Sequence, residues 1–100
     1  MSLTDKQKRH LKKLGHSLKP VVTVGQAGLT AGVLGELEIA LDHHELLKVK
    51  VNVGERDERD RIIDEIVRHS GAEPVQRIGN IAVLYRSNPK KKAPLELPKG

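Results

Sequence analysis

The chain contains no cysteine, phenylalanine or tryptophan, and its single aromatic of the Phe/Trp/Tyr class is Tyr85. Without cysteine there is no disulfide framework, no zinc–thiolate site and no thiol nucleophile. With one such aromatic there is no platform on which nucleobases could stack, as they do on RNA-recognition-motif sheets, OB folds and cold-shock domains. No apolar run approaches the length of a membrane span, and Met1-Ser2-Leu3-Thr4-Asp5 has no apolar core of a secretory signal. These absences predict a soluble cytoplasmic protein with an aliphatic core and no membrane partner. One hundred residues suit one small domain.

Charge is unevenly distributed. The net charge is +5, yet residues 1–20 alone hold six Lys/Arg against Asp5, and residues 86–100 hold five against Glu96. The middle of the chain is therefore net acidic. Basic ends on an acidic middle suggest a polyanionic partner, nucleic acid first and an anionic membrane surface second. A purely solubilising role for the ends is the plainer alternative.

The stretch Val21-Val22-Thr23-Val24-Gly25-Gln26-Ala27-Gly28-Leu29-Thr30 organises the rest. A β-branched run predicts a buried strand. A Gly-x-x-Gly turn follows, and Thr30 is placed to cap the next helix. Two glycines allow unusual backbone angles and close approach of a ligand. The helix N-terminus behind them offers unpaired N–H groups and the positive end of a dipole, a resting place for phosphate. The same turn could serve geometry alone. It is not a P-loop, lacking the Gly-Lys-Ser/Thr ending, nor a full dinucleotide fingerprint.

Thr4 and Gln7 fit a capping box. The helix behind them carries Leu11, Leu14 and Leu18 on a basic body, with Gly15 expected to loosen its last turn before Pro20. Helix two is predicted from about Ala31 to His43. Its far side holds Gly32, Gly35 and Ile39, and close packing of a helix or loop is the expected reason for Gly35. Residues 45–53 alternate, with Leu47, Val49, Val51 and Val53 on one face and Lys48, Lys50 and Asn52 on the other. That pattern predicts an open two-layer sheet with one wet face. Helix three spans roughly Asp57 to Ser70; Arg59, Ile62, Ile63, Ile66 and Val67 mark its buried side, and its charges look like i,i+4 pairs on a solvated face. Pro74 to Arg86 reads as a hairpin about Gly79-Asn80. The prolines and lysines after Ser87 predict a flexible basic tail. The order α–β–α–β–α–β–β gives an α/β fold with a mixed four-stranded sheet packed with helices. Residues 1–87 form the domain and 88–100 the tail.

Catalytic patterns are absent. No Ser/His/acid order sits near a nucleophile turn. His43-His44-Glu45 is a poor metal site because adjacent residues diverge on a helix, and the dipole at a helix C-terminus accounts for the histidines. The expectation is a non-enzyme with no cofactor, metal or small-molecule substrate. A protein poor in aromatics must grip the sugar–phosphate backbone, as the Gly-x-x-Gly loop of KH domains does. Gln26 and Ala27 are uncharged, so charge must come from Lys12, Lys13 and Lys19, and from Lys48, Lys50, Arg77 and Arg86 across the sheet. The candidate nucleic-acid-binding residues are Gly25, Gln26, Ala27, Gly28, Thr30 and Gly32 with Lys12, Lys13, Lys19, Lys48, Lys50 and Arg86. In this scheme the amides of Gly28 to Gly32 hold phosphate oxygens.

Several ordered blocks resemble a known family: Leu3 to Gln7, Leu14-Gly15-His16, Leu18 to Val22, Val24-Gly25-x-x-Gly28-Leu29-Thr30, Glu45 to Val51 and Gly79 to Arg86. Together they are similar to the CRM domain (chloroplast RNA splicing and ribosome maturation), in its stand-alone bacterial, YhbY-like form, over about residues 3–87. The resemblance implies a fold similar to the C-terminal domain of bacterial translation initiation factor three. It implies binding to ribosomal RNA in precursors of the large (50S) subunit, and its Gly-x-x-Gly residues fall on Gly25 and Gly28. Many members of that family place a basic residue inside that turn, and this chain does not. A monomer is expected. Rival readings are a module for an acidic protein partner, an RNA-splicing or RNA-chaperone factor, and a small phosphate-ligand enzyme.

Overall fold

The computed structural model describes residues 3–92 and 94–99. Seven elements follow in order: α1 (Asp5–Gly15), β1 (Pro20–Val24), α2 (Ala31–His44), β2 (Leu46–Val51), α3 (Arg56–Ser70), β3 (Glu73–Ile78) and β4 (Ile81–Tyr85). The sheet has the order β1-β2-β4-β3; β1 runs parallel to β2, and β4 is antiparallel to both β2 and β3. Strand β4 thus slots between the two strands that α3 connects. Its uninterrupted apolar sequence fits that central place, because it is buried from both faces. Pro74 sits on an edge strand, where its missing N–H removes no bond from the interior of the sheet.

Both faces of the sheet are covered, which corrects the expectation of an open two-layer sheet. On one face Val22, Val24, Leu47, Val49, Val51, Ala82 and Leu84 pack with Leu37 and Leu41 of α2 and with Ile62, Ile63 and Ile66 of α3. On the other, Leu46, Val75, Val83 and Tyr85 receive Leu11 of α1. The alternation of Lys48, Lys50 and Asn52 hides this second core, because its apolar members come from β3, β4 and the first residue of β2.

The capping box of α1 forms: Gln7 N donates to Thr4 Oγ1 at 3.1 Å and Thr4 N donates to Gln7 Oε1 at 3.0 Å. Its apolar stripe is only partly used. Leu11 is fully buried, but Leu14 and Leu18 are each 37% exposed. Gly15 does something other than loosen the turn. A Cβ there would stand 3.1 Å from Val83 Cγ1, so the missing side chain lets the helix end press on β4. Gly35 shows the reverse outcome. Nothing lies within 4 Å of its Cβ position, so no element packs there, and Ile39 on the same helix is 74% exposed.

The segment after Ser87 is not a free extension. Leu95 and Leu97 pack on the α1-side core together with Leu3, and Gln7 Nε2 donates to Pro98 O at 3.1 Å. The anchor is Glu45, fully buried at the C-terminus of α2 and, among the described residues, the one non-glycine residue at positive φ (61°). Its carboxylate accepts from Asn88 N and Leu95 N, both at 2.9 Å, and pairs with Lys91 Nζ at 3.5 Å. Burial by itself would raise the Glu45 pKa. The two amides and the Lys91 charge outweigh burial and hold it below its ordinary value. Burial, then the Glu45 charge, pushes the Tyr85 phenol upward. Proline and lysine content suggested a flexible basic tail, whereas two leucines and a buried acceptor give it a seat. Ala93 and Gly100 of the predicted tail, and Met1 and Ser2 of the predicted domain, lie outside the described residues.

Candidate nucleic-acid interface

The Gly-x-x-Gly turn closes at the end of β1, where Gly28 N donates to Gly25 O at 3.0 Å. Gly28 has φ +76°, a value that L side chains adopt at a cost. Thr30 N then donates to Gly28 O at 3.1 Å, and Thr30 Oγ1 accepts from Val33 N at 3.2 Å as the N-cap of α2. Leu29 packs on the main core and ties the turn down.

The turn stands open. Gly25, Gln26, Ala27, Thr30 and Gly32 are exposed, and nothing lies within 4 Å of the Cβ positions of Gly25 and Gly28. Its donors differ from the expected set. The amides of Gly28, Thr30 and Val33 have acceptors inside the turn and cap, whereas those of Leu29, Ala31 and Gly32 take none there. The amides of Ala31 and Gly32 are ones that the first turn of a helix leaves unpaired, and that of Leu29 lies just ahead of the cap. A shallow cavity of about 280 Å³ lies between the turn and α3, lined by Gln26, Ala27, Gly28 and Leu29 on one side and Glu58, Arg61, Ile62 and Glu65 on the other. Its two carboxylates are matched by guanidinium groups, Glu58 by Arg61 at 3.0 Å and Glu65 by Arg68 at 3.5 Å.

The predicted cations do not form a ring round the turn. Lys12 and Lys13 are exposed in the last turn of α1, the helix on the face opposite α2. Lys48 and Lys50 project to that same face, and Lys48 Nζ donates to His16 O just beyond α1 at 3.3 Å. Lys50 is the nearer to the turn, since it pairs in register with Thr23 of β1. Lys19 precedes β1 while Gly25 follows it, which separates them by roughly 20 Å of extended chain.

Arg86 is not a free cation at all. Its Nη1 donates to both Glu38 carboxylate oxygens at 3.0 Å and to Ser70 O at 2.9 Å, and its Nη2 donates to Asp42 Oδ1 at 2.9 Å. It ties α2, the end of α3 and the end of β4 together, and its charge is compensated. Arg77 is likewise held by Asp60 at 3.2 Å and by Asp64. Arg56 and Arg59 form no ion pair among the described residues; in the sequence Arg56 passes as part of a mixed-charge solvated helix, and Arg59 is read on that helix's buried side. The signal that could have singled them out is two arginines three residues apart in a helix's first turn, where acids are the favoured charge.

Among the described residues, no group of three or more His, Cys, Asp or Glu side chains is placed to hold a metal, and no helix is long and apolar enough to cross a membrane. An α/β domain with an open glycine turn at a helix N-terminus and lysines on the opposite face defines the class. The chain matches the CRS1/YhbY (CRM) domain over residues 3–86 and belongs to that family. It is 52% identical over 90 residues to a Pseudomonas aeruginosa protein named a probable RNA-binding protein, covering 90% of this chain and 86% of that one. It is 52% identical over 98 residues to a Haemophilus influenzae protein named an RNA-binding protein, covering 98% and 97%. The solution structure of a Staphylococcus aureus protein superposes with a TM-score of 0.81 at 32% identity, over 97% of this chain and 100% of that one. The fold is thus that of the family.

Proposed function

We propose that this protein binds RNA without catalysing a reaction on it, and that its target is ribosomal RNA in precursors of the large ribosomal subunit in the cytoplasm. One observation carries the reading: the Gly25–Gly28 turn is open, and it presents the unpaired amides of Leu29, Ala31 and Gly32 at the start of α2. Such amides suit phosphate oxygens. Lys50 and Lys48, with Lys12 and Lys13 beyond them, supply the attraction that uncharged Gln26 and Ala27 cannot. Family membership and the names of the relatives support RNA as the polyanion. The scarcity of aromatics favours recognition of backbone and shape over base stacking.

The test is Gly25→Val. Gly25 is not at positive φ and has open space around its Cβ position, so the fold should tolerate the change. RNA affinity should drop, because the added branch stands where a phosphate would approach. Wild-type affinity should also fall steeply with salt as counterions are released. Co-sedimentation with large-subunit precursors, lost on ribonuclease treatment, tests the target. A folded Gly25→Val protein that binds RNA as tightly as the wild type refutes the role of the turn. Capture that survives ribonuclease points to a protein partner instead.

A further inference from the structure

On the other flank of α3 lies a second cavity, about 430 Å³ in volume, lined by Arg56, Arg59, Asp60, Arg77 and Gly79. At 100° per residue, Arg56, Arg59 and Asp60 point nearly opposite to Glu58, Arg61 and Glu65, which face the glycine turn. The first turns of α3 therefore separate two recesses, one against the turn after β1 and one against the β3–β4 hairpin. The charges of the second recess are unequal. Arg77 and Asp60 neutralise one another, with Asp64 as a further partner of Arg77. Arg56 and Arg59 have no carboxylate partner among the described residues. Moreover, the Nε of Arg59 is the one enclosed side-chain nitrogen or oxygen among the described residues that lacks a hydrogen-bond partner. An enclosed guanidinium N–H is costly to leave unpaired, so this one calls for an acceptor, whether water, an ion or a ligand oxygen.

We infer that this recess is a second contact for the RNA backbone, in which Arg56 and Arg59 grip a phosphodiester and Arg77, fixed by its aspartates, forms the wall. The inference rests on the RNA-binding reading and extends it. Guanidinium groups match phosphate oxygens two at a time, which a carboxylate-bound arginine cannot offer. The volume admits a phosphate with its ribose, and no aromatic side chain lines it to hold a base. A strand that leaves the Gly25–Gly28 turn would cross the start of α3 to reach it. The two contacts would then fix the direction of the strand on the domain.

The experiment compares the full chain, Gly25→Val and Arg56→Gln/Arg59→Gln for binding of a mixed-sequence single-stranded RNA oligonucleotide over a salt series. Each phosphate contact contributes about 0.7 to the slope of log affinity against log salt. The double variant should bind more weakly and lose about 0.7 from that slope, the share of the one phosphodiester the two arginines grip. A second measurement needs no variant: the Arg59 Nε–Hε resonance of the wild type should shift on adding the oligonucleotide and not on adding inorganic phosphate at equal concentration. If the wild type binds no RNA, the parent reading falls and this one with it. If the wild type binds and Gly25→Val weakens it, while the double variant keeps the full slope or the Arg59 resonance stays still, only the second contact is refuted. A shift with inorganic phosphate alone assigns the recess to a small ligand and also overturns it.

Discussion

Replacing Glu45 with glutamine should unfasten the C-terminal segment. The carboxylate accepts two backbone amides, Asn88 N and Leu95 N, one on each oxygen and both at 2.9 Å, and faces the Lys91 ammonium. Glutamine keeps one acceptor and puts an NH₂ group where the other stood, opposite a donor. A hydrogen bond to a charged group is worth about 1.5–3 kcal/mol, so Glu45→Gln should weaken the clasp by about 2–3 kcal/mol at neutral pH. The pH dependence has a definite sign. The folded-state pKa of Glu45 lies below its unfolded value, so its contribution is fully present above the unfolded value of about 4.3 and is lost as pH falls through the lower folded one. The gap between wild type and Glu45→Gln should therefore narrow under acid. Amide exchange at Asn88 and Leu95 reads the clasp directly, and urea melts from neutral to acid pH read the domain. Equal protection of those two amides in both proteins, or a gap that stays constant into acid, would refute the reasoning.

Arg86→Ala should lower stability by about 2 kcal/mol in chemical denaturation, because the guanidinium links α2, α3 and β4 while its partners remain partly exposed. The same variant should leave the salt slope of RNA binding unchanged, since Glu38 and Asp42 already compensate that charge; a lower slope would restore Arg86 to the interface. Gly15→Val should destabilise the domain by about 1–3 kcal/mol, measured by thermal melting, because its Cβ is pressed against the stiff Val83 side chain. Gly25→Val, by contrast, should melt close to the wild type while losing RNA affinity.

Much of the fold was legible because its signals are local. Thr4 with Gln7 announced a capping box, Thr30 a cap, and Val21 to Val24 a strand, and each forms, although that strand lies at the sheet edge with Val21 and Thr23 exposed rather than buried as expected. The glycine turn was legible for the same reason, since its geometry is set by residues adjacent in the chain. Readings that depended on distant partners fared differently. The second core was missed because its members lie on α1, β2, β3 and β4, and no single segment shows their common face. Arg86 looked free because Glu38, Asp42 and Ser70 are far from it in sequence. Lys19 looked close to the turn because it is six residues away, though an extended strand makes six residues a long distance.

The sequence alone determined the order of elements, the caps, the glycine corner and a side-chain inventory too poor in aromatics to stack bases. Those follow from backbone preferences and side-chain inventory, which neighbours in the chain decide. Tertiary structure decided which cations stay available, where the tail rests and which recess collects unpaired arginines. Charge becomes free or compensated only through contacts between residues far apart in the chain, and those contacts exist only once the sheet has brought its helices together.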